Sequence, residues 1–275
     1  MGFSFDLQTL ILGLVQGLCE FLPVSSSGHL ALLQNFFGFS NSNNLVAFDL
    51  LLHCATVLVI LIYFHKSILK IIRDWFGGFF SEYHRKKWGW SYGWQIIIAT
   101  IATGLAGLPL RKIVDEMSSS SLTVGCGLIF TAVVMSFLPV ISHKNKKNYS
   151  PFVIAIAVGI AQGIAVLPGV SRSGMTIAVG ILMGLELAEA FRFSFLLSVP
   201  AVLGASLLEF LKLLKTPDAI FLPNGYLWAV IIAFVSGFAA LKISRKLVLS
   251  EKWHYFGFYC LLIGAMAILL SLEIF

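Results

Sequence analysis

Apolar residues run along this chain in blocks long enough to cross a bilayer, which takes roughly 20 residues of helix, and the charges gather between the blocks. The long blocks predict spanning helices at about 46–64, 92–110 and 122–142, then at about 187–210, 225–243 and 254–272. A shorter, interrupted pattern precedes each set of three. Residues 6–22 predict a short helix with Gly13, Gln16 and Glu20 on one face, because positions three and four apart align, and with Leu10, Leu14, Leu18 and Phe21 over much of the rest. Pro23 lacks a backbone donor and disfavours helical geometry at its predecessor, so the helix should break there. Ser25, Ser26 or Ser27 can then cap a second helix running through His29 to about Phe37. About a dozen residues cannot span a bilayer, so a helix that dips in, breaks and returns is the better reading.

The interrupted pattern recurs. Gln16 to Leu30 reads QGLCEFLPVSSSGHL and Gln162 to Thr176 reads QGIAVLPGVSRSGMT, aligned without a gap at an offset of 146 residues. Gly13, Gln16, Gly17, Val24, Ser25, Ser27 and Gly28 return as Gly159, Gln162, Gly163, Val170, Ser171, Ser173 and Gly174. Two differences matter chemically. Glu20 faces Val166 in the alignment and Ser26 faces Arg172, so one copy brings a carboxylate and the other a cation. Buried charge in a bilayer is expensive and marks functional positions by default, which points to two halves of one site. Three spans separate the motif starts, so the repeats should enter the membrane from opposite sides. The expected fold is an all-α polytopic membrane protein of two inverted-topology repeats, each a re-entrant broken helix plus three transmembrane helices. A single integral membrane domain should cover residues 1–275, with repeat one at about 6–142 and repeat two at about 151–272.

Composition agrees. The chain is 58% hydrophobic and 12% charged, about half the charged fraction usual in soluble domains. The N-terminus carries Asp6 where a signal peptide would be basic, and it is not read as a cleaved leader. Cys19, Cys54, Cys126 and Cys260 are scattered without metal-type spacing, which argues for packing. The net charge of +6 comes from basic loops and speaks for membrane topology and lipid headgroups, not for nucleic acid.

The motifs suit anion chemistry. A helix break followed by hydroxyls, a glycine and a helix start offers free N–H groups and a positive dipole end to a ligand, and it occurs twice. Arg172 adds a guanidinium whose planar fork matches phosphate oxygens, the alternative being an ion pair with Glu20 or Glu186. Glu20 could hold a divalent cation or take part in proton transfer, and His29 titrates near neutrality. A serine beside a base is a candidate nucleophile, although three in a row leave its identity open. His53 and Thr56 lie within a span, where lining a cavity and simple packing are both open. Glu186, Glu189 and Arg192 carry local ion-pair spacing.

With FDLLLHCAT and FRFSFLLSVPA, the two motifs resemble the undecaprenyl-diphosphate phosphatase family, also called bacitracin-resistance proteins, over essentially the whole chain. The resemblance implies hydrolysis of the C55 isoprenyl diphosphate to the monophosphate and inorganic phosphate, recycling the lipid carrier of bacterial cell-wall synthesis at the plasma membrane. It implies a site open to the extracytoplasmic side and a divalent cation, Mg2+ or Ca2+. The family's Glu/Gln-x-x-x-Glu pattern maps onto Gln16 and Glu20, the candidate metal ligands. Its serine and histidine portion maps onto Ser25, Ser26, Ser27 and His29, and its Pro-Gly-x-Ser-Arg-Ser-x-x-Thr motif onto Pro168, Gly169, Ser171, Arg172, Ser173 and Thr176. Gln16 is the amide variant, which tells against schemes needing two carboxylates in that motif.

The expected catalytic set is therefore Glu20, Ser26, His29 and Arg172, with Ser26 as nucleophile and His29 as its proton partner. Gln16, Ser25, Ser27, Gly28, Gly169, Ser171, Ser173, Gly174 and Thr176 should surround an isoprenyl diphosphate lipid among membrane lipids. A homo-oligomer is left open. The rival from another class is a lipid-carrier or small-solute transporter using the inverted-repeat cavity, for which the Glu-Ser-His-Arg set is richer than binding needs. Basic residues at Arg73 to Lys87, at His143 to Asn148 and at Arg245 to Lys252 can all lie in the cytoplasm together, with both termini outside. Labelling of engineered cysteines from outside should therefore modify position 275 and spare position 146; the reverse pattern overturns the orientation.

Overall fold

The computed structural model describes residues 3–39, 45–142, 149–215 and 222–273. The basic segment His143 to Asn148 and the terminal Phe275 lie outside the described residues. Helix α1 covers Phe3–Phe21 and α2 Ser26–Phe36, with the break at Pro23 between them. Then follow α3 (Val46–Tyr63), α4 (His65–Gly78), α5 (Glu82–Arg85), α6 (Trp88–Gly107), α7 (Arg111–Ser118) and α8 (Ser121–Ser142). The second half repeats the broken pair as α9 (Pro151–Ile164) and α10 (Arg172–Leu182), followed by α11 (Leu187–Leu213), α12 (Tyr226–Leu249) and α13 (His254–Glu273). Among the described residues, six helices are long and apolar enough to cross a membrane: α3, α6 with the turn after it, α8, α11, α12 and α13. The chain is a multi-pass membrane protein, and its outer helix faces carry exposed Ile101, Leu105, Phe137, Trp228 and Val235 because lipid, not water, surrounds them.

The segment between α3 and α6, expected as a basic loop, is instead largely helical. Ile68, Ile71, Ile72 and Trp75 recur at three- and four-residue spacing, so the chain can fold α4 as an amphipathic helix. Helix α4 buries Ile71 and Asp74, lies against α6 and keeps its lysines outward. The turn expected around Arg111 to Ser121 likewise contains α7, anchored by an ion pair from Arg111 to Glu209 of α11.

Two helix seams hold the repeats together, and each joins one repeat to the other. A Cβ added at Gly13 of α1 would lie 2.4 Å from the Ala229 carbonyl oxygen of α12, and one at Gly17 would lie 2.4 Å from that of Ala233. The second copy makes the same contacts with the partners exchanged. A Cβ at Gly159 of α9 would lie 2.3 Å from the Ala99 oxygen of α6, and one at Gly163 would lie 2.8 Å from that of Thr103. Ala99, Thr103 and Gly107 lie 130 residues before Ala229, Ala233 and Gly237, so the two seams are equivalent position by position. Small residues let backbones approach closely where no hydrophobic force drives helices together, and these seams use them throughout. Gly13→Ala and Gly159→Ala should each lower thermal stability in detergent, by about 1–3 kcal/mol as for overpacking. Gly104→Ala, whose Cβ meets nothing within 4 Å, should not.

Candidate active site

The site is built from the two helix breaks, which meet tip to tip. Ser25 caps α2 by accepting the Gly28 N–H at 3.3 Å, and Ser171 caps α10 by accepting the Gly174 N–H at 3.1 Å. These capping hydroxyls are the first structural use of the repeated Ser-x-Ser-Gly pattern. The tips touch where a Cβ on Gly28 would lie 2.9 Å from the Gly169 Cα, and Ser173 donates across to the Leu22 carbonyl at 3.5 Å. The two breaks relieve their backbone differently. In the second copy Gly169 takes the left-handed turn at φ +83 and Ser171 stays at φ −76. In the first copy position 23 is proline, whose ring forbids positive φ, and the turn falls on Ser25 at φ +70. A non-glycine residue there carries strain on the order of 1–3 kcal/mol, which persists only where its surroundings hold it.

Glu20 is the centre of the polar network. Its carboxylate is buried, and Arg172 of the opposite repeat donates to Oε1. Oε2 accepts from Ser26 Oγ at 2.6 Å and from Gln16 Nε2 at 3.1 Å. Gln16 Nε2 also contacts His53 Nδ1 at 3.0 Å, and His53 Nδ1 stands 3.7 Å from Glu20 Oε2. The amide must present its NH2 to the carboxylate, since its oxygen would repel it. That leaves Gln16 Oε1 buried without a partner. Arg172 thus forms an ion pair across the repeats with Glu20, while Glu189 pairs locally with Arg192 as its spacing predicts.

The other expected residues divide between contact and support. Ser25 and Ser27 hydroxyls stand 3.3 Å apart, with Ser27 exposed, and those of Ser171 and Ser173 stand 3.5 Å apart, both buried. Thr176 accompanies Arg172 as a brace: its hydroxyl donates toward the Arg172 carbonyl at 2.9 Å and meets Ser194 Oγ of α11 at 2.5 Å. His29 is not beside Ser26's hydroxyl, which is bonded to Glu20. Its Nδ1 meets the Ser25 carbonyl at 2.8 Å and its Nε2 meets Tyr259 Oη at 2.9 Å. Nothing in the sequence marks Tyr259, which sits on an apolar helix 230 residues from His29. The sequence left His53 open between cavity and packing, and geometry puts it against Gln16 and Glu20. Asp49 was passed over as well. It accepts both oxygens' worth of Gln34 Nε2 contact, at 2.9 and 3.1 Å, and ties the end of α2 to α3.

Among the described residues no group of three or more His, Cys, Asp and Glu side chains could hold a metal ion. A hard divalent cation that takes most of its oxygens from a phosphate substrate needs fewer protein ligands. The unpartnered Gln16 Oε1 beside the Glu20 carboxylate fits that case.

The family model described as "Bacitracin resistance protein BacA" matches residues 9–266. The chain is 38% identical over 283 residues to an undecaprenyl-diphosphatase of Methanosphaera stadtmanae, covering 98% of this chain and 99% of that protein. A Bacteroides fragilis protein of the same name is 40% identical over 269 residues, covering 96% and 97% of the two chains. One from Carboxydothermus hydrogenoformans is 38% identical over 270 residues, covering 96% and 97%. The match spans both broken helices and every residue of the Glu20 network, and this chain belongs to the bacitracin resistance protein BacA family.

Proposed function

We propose that this protein hydrolyses undecaprenyl diphosphate to undecaprenyl phosphate and inorganic phosphate. The observation that carries the reading is the Ser26 hydroxyl 2.6 Å from a buried carboxylate whose other oxygen is held by Arg172, at the meeting point of two helix N-termini. That set joins a nucleophile, a proton acceptor and anion donors within one hydrogen-bonded network. Family membership and relatives named undecaprenyl-diphosphatase support the substrate.

The diphosphate would enter between the tips, where Arg172 turns from Glu20 to a phosphate oxygen and the start of α10 adds backbone N–H groups. Glu20, relieved of its ion pair, then takes the Ser26 proton as the serine oxygen attacks the terminal phosphorus. The bridging P–O bond breaks and the lipid monophosphate leaves with the proton that Glu20 returns; Glu20 then takes a proton from the water that attacks the phosphoserine and delivers it to the serine oxygen, releasing inorganic phosphate and restoring Ser26. A divalent cation, Mg2+ or Ca2+, would be held by Glu20 and Gln16 Oε1 and would offset the charge on the diphosphate. The repeats are taken to lie inverted in a bacterial plasma membrane with the site open to the outside, a reading supported by the exchanged helix seams and the parity of the basic segments. The amphipathic α4 would then rest at the cytoplasmic surface.

Arg172→Lys should lose most activity although it keeps the charge, since an ammonium cannot make two parallel bonds to phosphate; the expected cost is on the order of 2 kcal/mol in kcat/KM. Near-wild-type phosphate release would reduce Arg172 to a structural partner of Glu20.

Purified protein in detergent, where no membrane separates two sides, should release phosphate from the lipid diphosphate, which a transporter would not do. Ser26→Ala and Glu20→Gln should depress kcat more than they raise KM, whereas Arg172→Ala should weaken binding as well. A phosphoserine trapped on rapid mixing would fix Ser26 as nucleophile. Substantial turnover by Ser26→Ala without a phosphoenzyme would transfer the attack to water.

A further inference from the structure

Helix α13 grips the first break at two adjacent positions. Tyr259 Oη reaches His29 Nε2 at 2.9 Å, with the rings stacked 5.5 Å apart at 6°, and Cys260 Sγ lies 4.0 Å from the Pro23 carbonyl oxygen. The proton inventory of His29 follows from its partners. A carbonyl can only accept, so Nδ1 carries the hydrogen that meets the Ser25 oxygen; in the neutral ring Nε2 is then a bare acceptor, to which the Tyr259 hydroxyl donates. His29 is thereby a neutral strut between α13 and the carbonyl of the residue whose backbone is strained, and the residue after that one is Ser26.

The second copy supplies an internal control. There Thr131 of α8 donates to the Gly169 carbonyl at 2.9 Å, just as Cys260 of α13 approaches that of Pro23, and Pro23 and Gly169 are equivalent at the 146-residue offset. Thr131 and Cys260 are therefore equivalent helix positions, 129 residues apart, and Tyr259 corresponds to Phe130. His29 corresponds to Met175. The polar pair thus occurs only in the copy that carries Glu20 and Ser26 and in which a serine, not a glycine, holds the positive φ.

We propose that Tyr259 is a positioning residue for the hydrolysis: by donating to His29 Nε2 it keeps that nitrogen unprotonated and the ring fixed, so that Nδ1–H holds the Ser25 carbonyl and maintains the strained turn that aims Ser26 at Glu20. The inference rests on the phosphatase reading for its kinetic consequence and on geometry alone for its tautomer. Tyr259→Phe keeps the ring and its stacking and removes only the donor. It should lower kcat about tenfold, as for an unmet buried acceptor, with KM changed less than about twofold. Unchanged kcat, or a change in KM alone, overturns the proposal. Nitrogen-15 NMR of the histidines should show His29 Nε2 as an unprotonated, hydrogen-bonded acceptor in the wild type, and as a nitrogen that has lost that bond or gained a proton in Tyr259→Phe. The same Nε2 signal in both proteins also overturns it, whatever the rate. Should the wild type release no phosphate, the phosphatase reading fails and the NMR comparison still decides the role of Tyr259 toward His29.

Discussion

A carboxylate cannot stay ionised inside a bilayer without a partner, and Glu20 meets that constraint with an arginine from the other end of the chain. Removing either partner from such a pair leaves an uncompensated buried charge, which costs about 3–5 kcal/mol. Arg172 lies 152 residues beyond Glu20, so the pair forms only when both broken helices arrive at the same depth and meet at their tips. The breaks, the serine caps and the Gly28–Gly169 approach are the means by which two halves of the protein are brought to that one contact.

The duplication separates scaffold from chemistry. The seams α1–α12 and α9–α6 keep the glycines of α1 and α9 in both copies, because a Cβ there would run into the facing backbone. Chemistry diverged at positions where the scaffold leaves room. Glu20 stands where the other copy has Val166, Ser26 where it has Arg172, His29 where it has Met175, and Tyr259 where it has Phe130. Each exchange makes the two copies unlike, with Glu20, Ser26 and His29 on one side of the tip contact and the guanidinium of Arg172 on the other. Pro23 and Gly169 show the backbone counterpart: the glycine copy turns without strain, whereas the proline copy passes its turn to Ser25 beside the candidate nucleophile.

Much of this was legible in the residues. The helix boundaries, the break at Pro23, a serine cap after it, the six long spans and the repeat itself are local properties, set by apolar block length, by proline and serine chemistry and by identity at a fixed offset; which of Ser25, Ser26 and Ser27 caps was left to the structure, which chose Ser25. So was the short list of chemical residues, because charge and hydroxyls within apolar segments stand out against their neighbours. The segment between α3 and α6 misled only in part, since its lysines hid an apolar stripe at helical spacing that α4 buries against α6.

What the residues could not determine was who faces whom. Adjacency in sequence suggested that Ser26 and His29 form a pair, but packing against other helices gives Ser26 to Glu20 and His29 to Tyr259. Arg172 could have chosen Glu20 or Glu186, and only the meeting of the tips selected Glu20. His53 and Tyr259 were indistinguishable from packing residues because each lies on an apolar span, where the sequence records hydrophobicity but not which neighbour the polar atom meets. The chain by itself set the elements and the inventory of reactive groups through short-range physics. The partners of those groups, up to 230 residues away, were decided by helix packing in three dimensions.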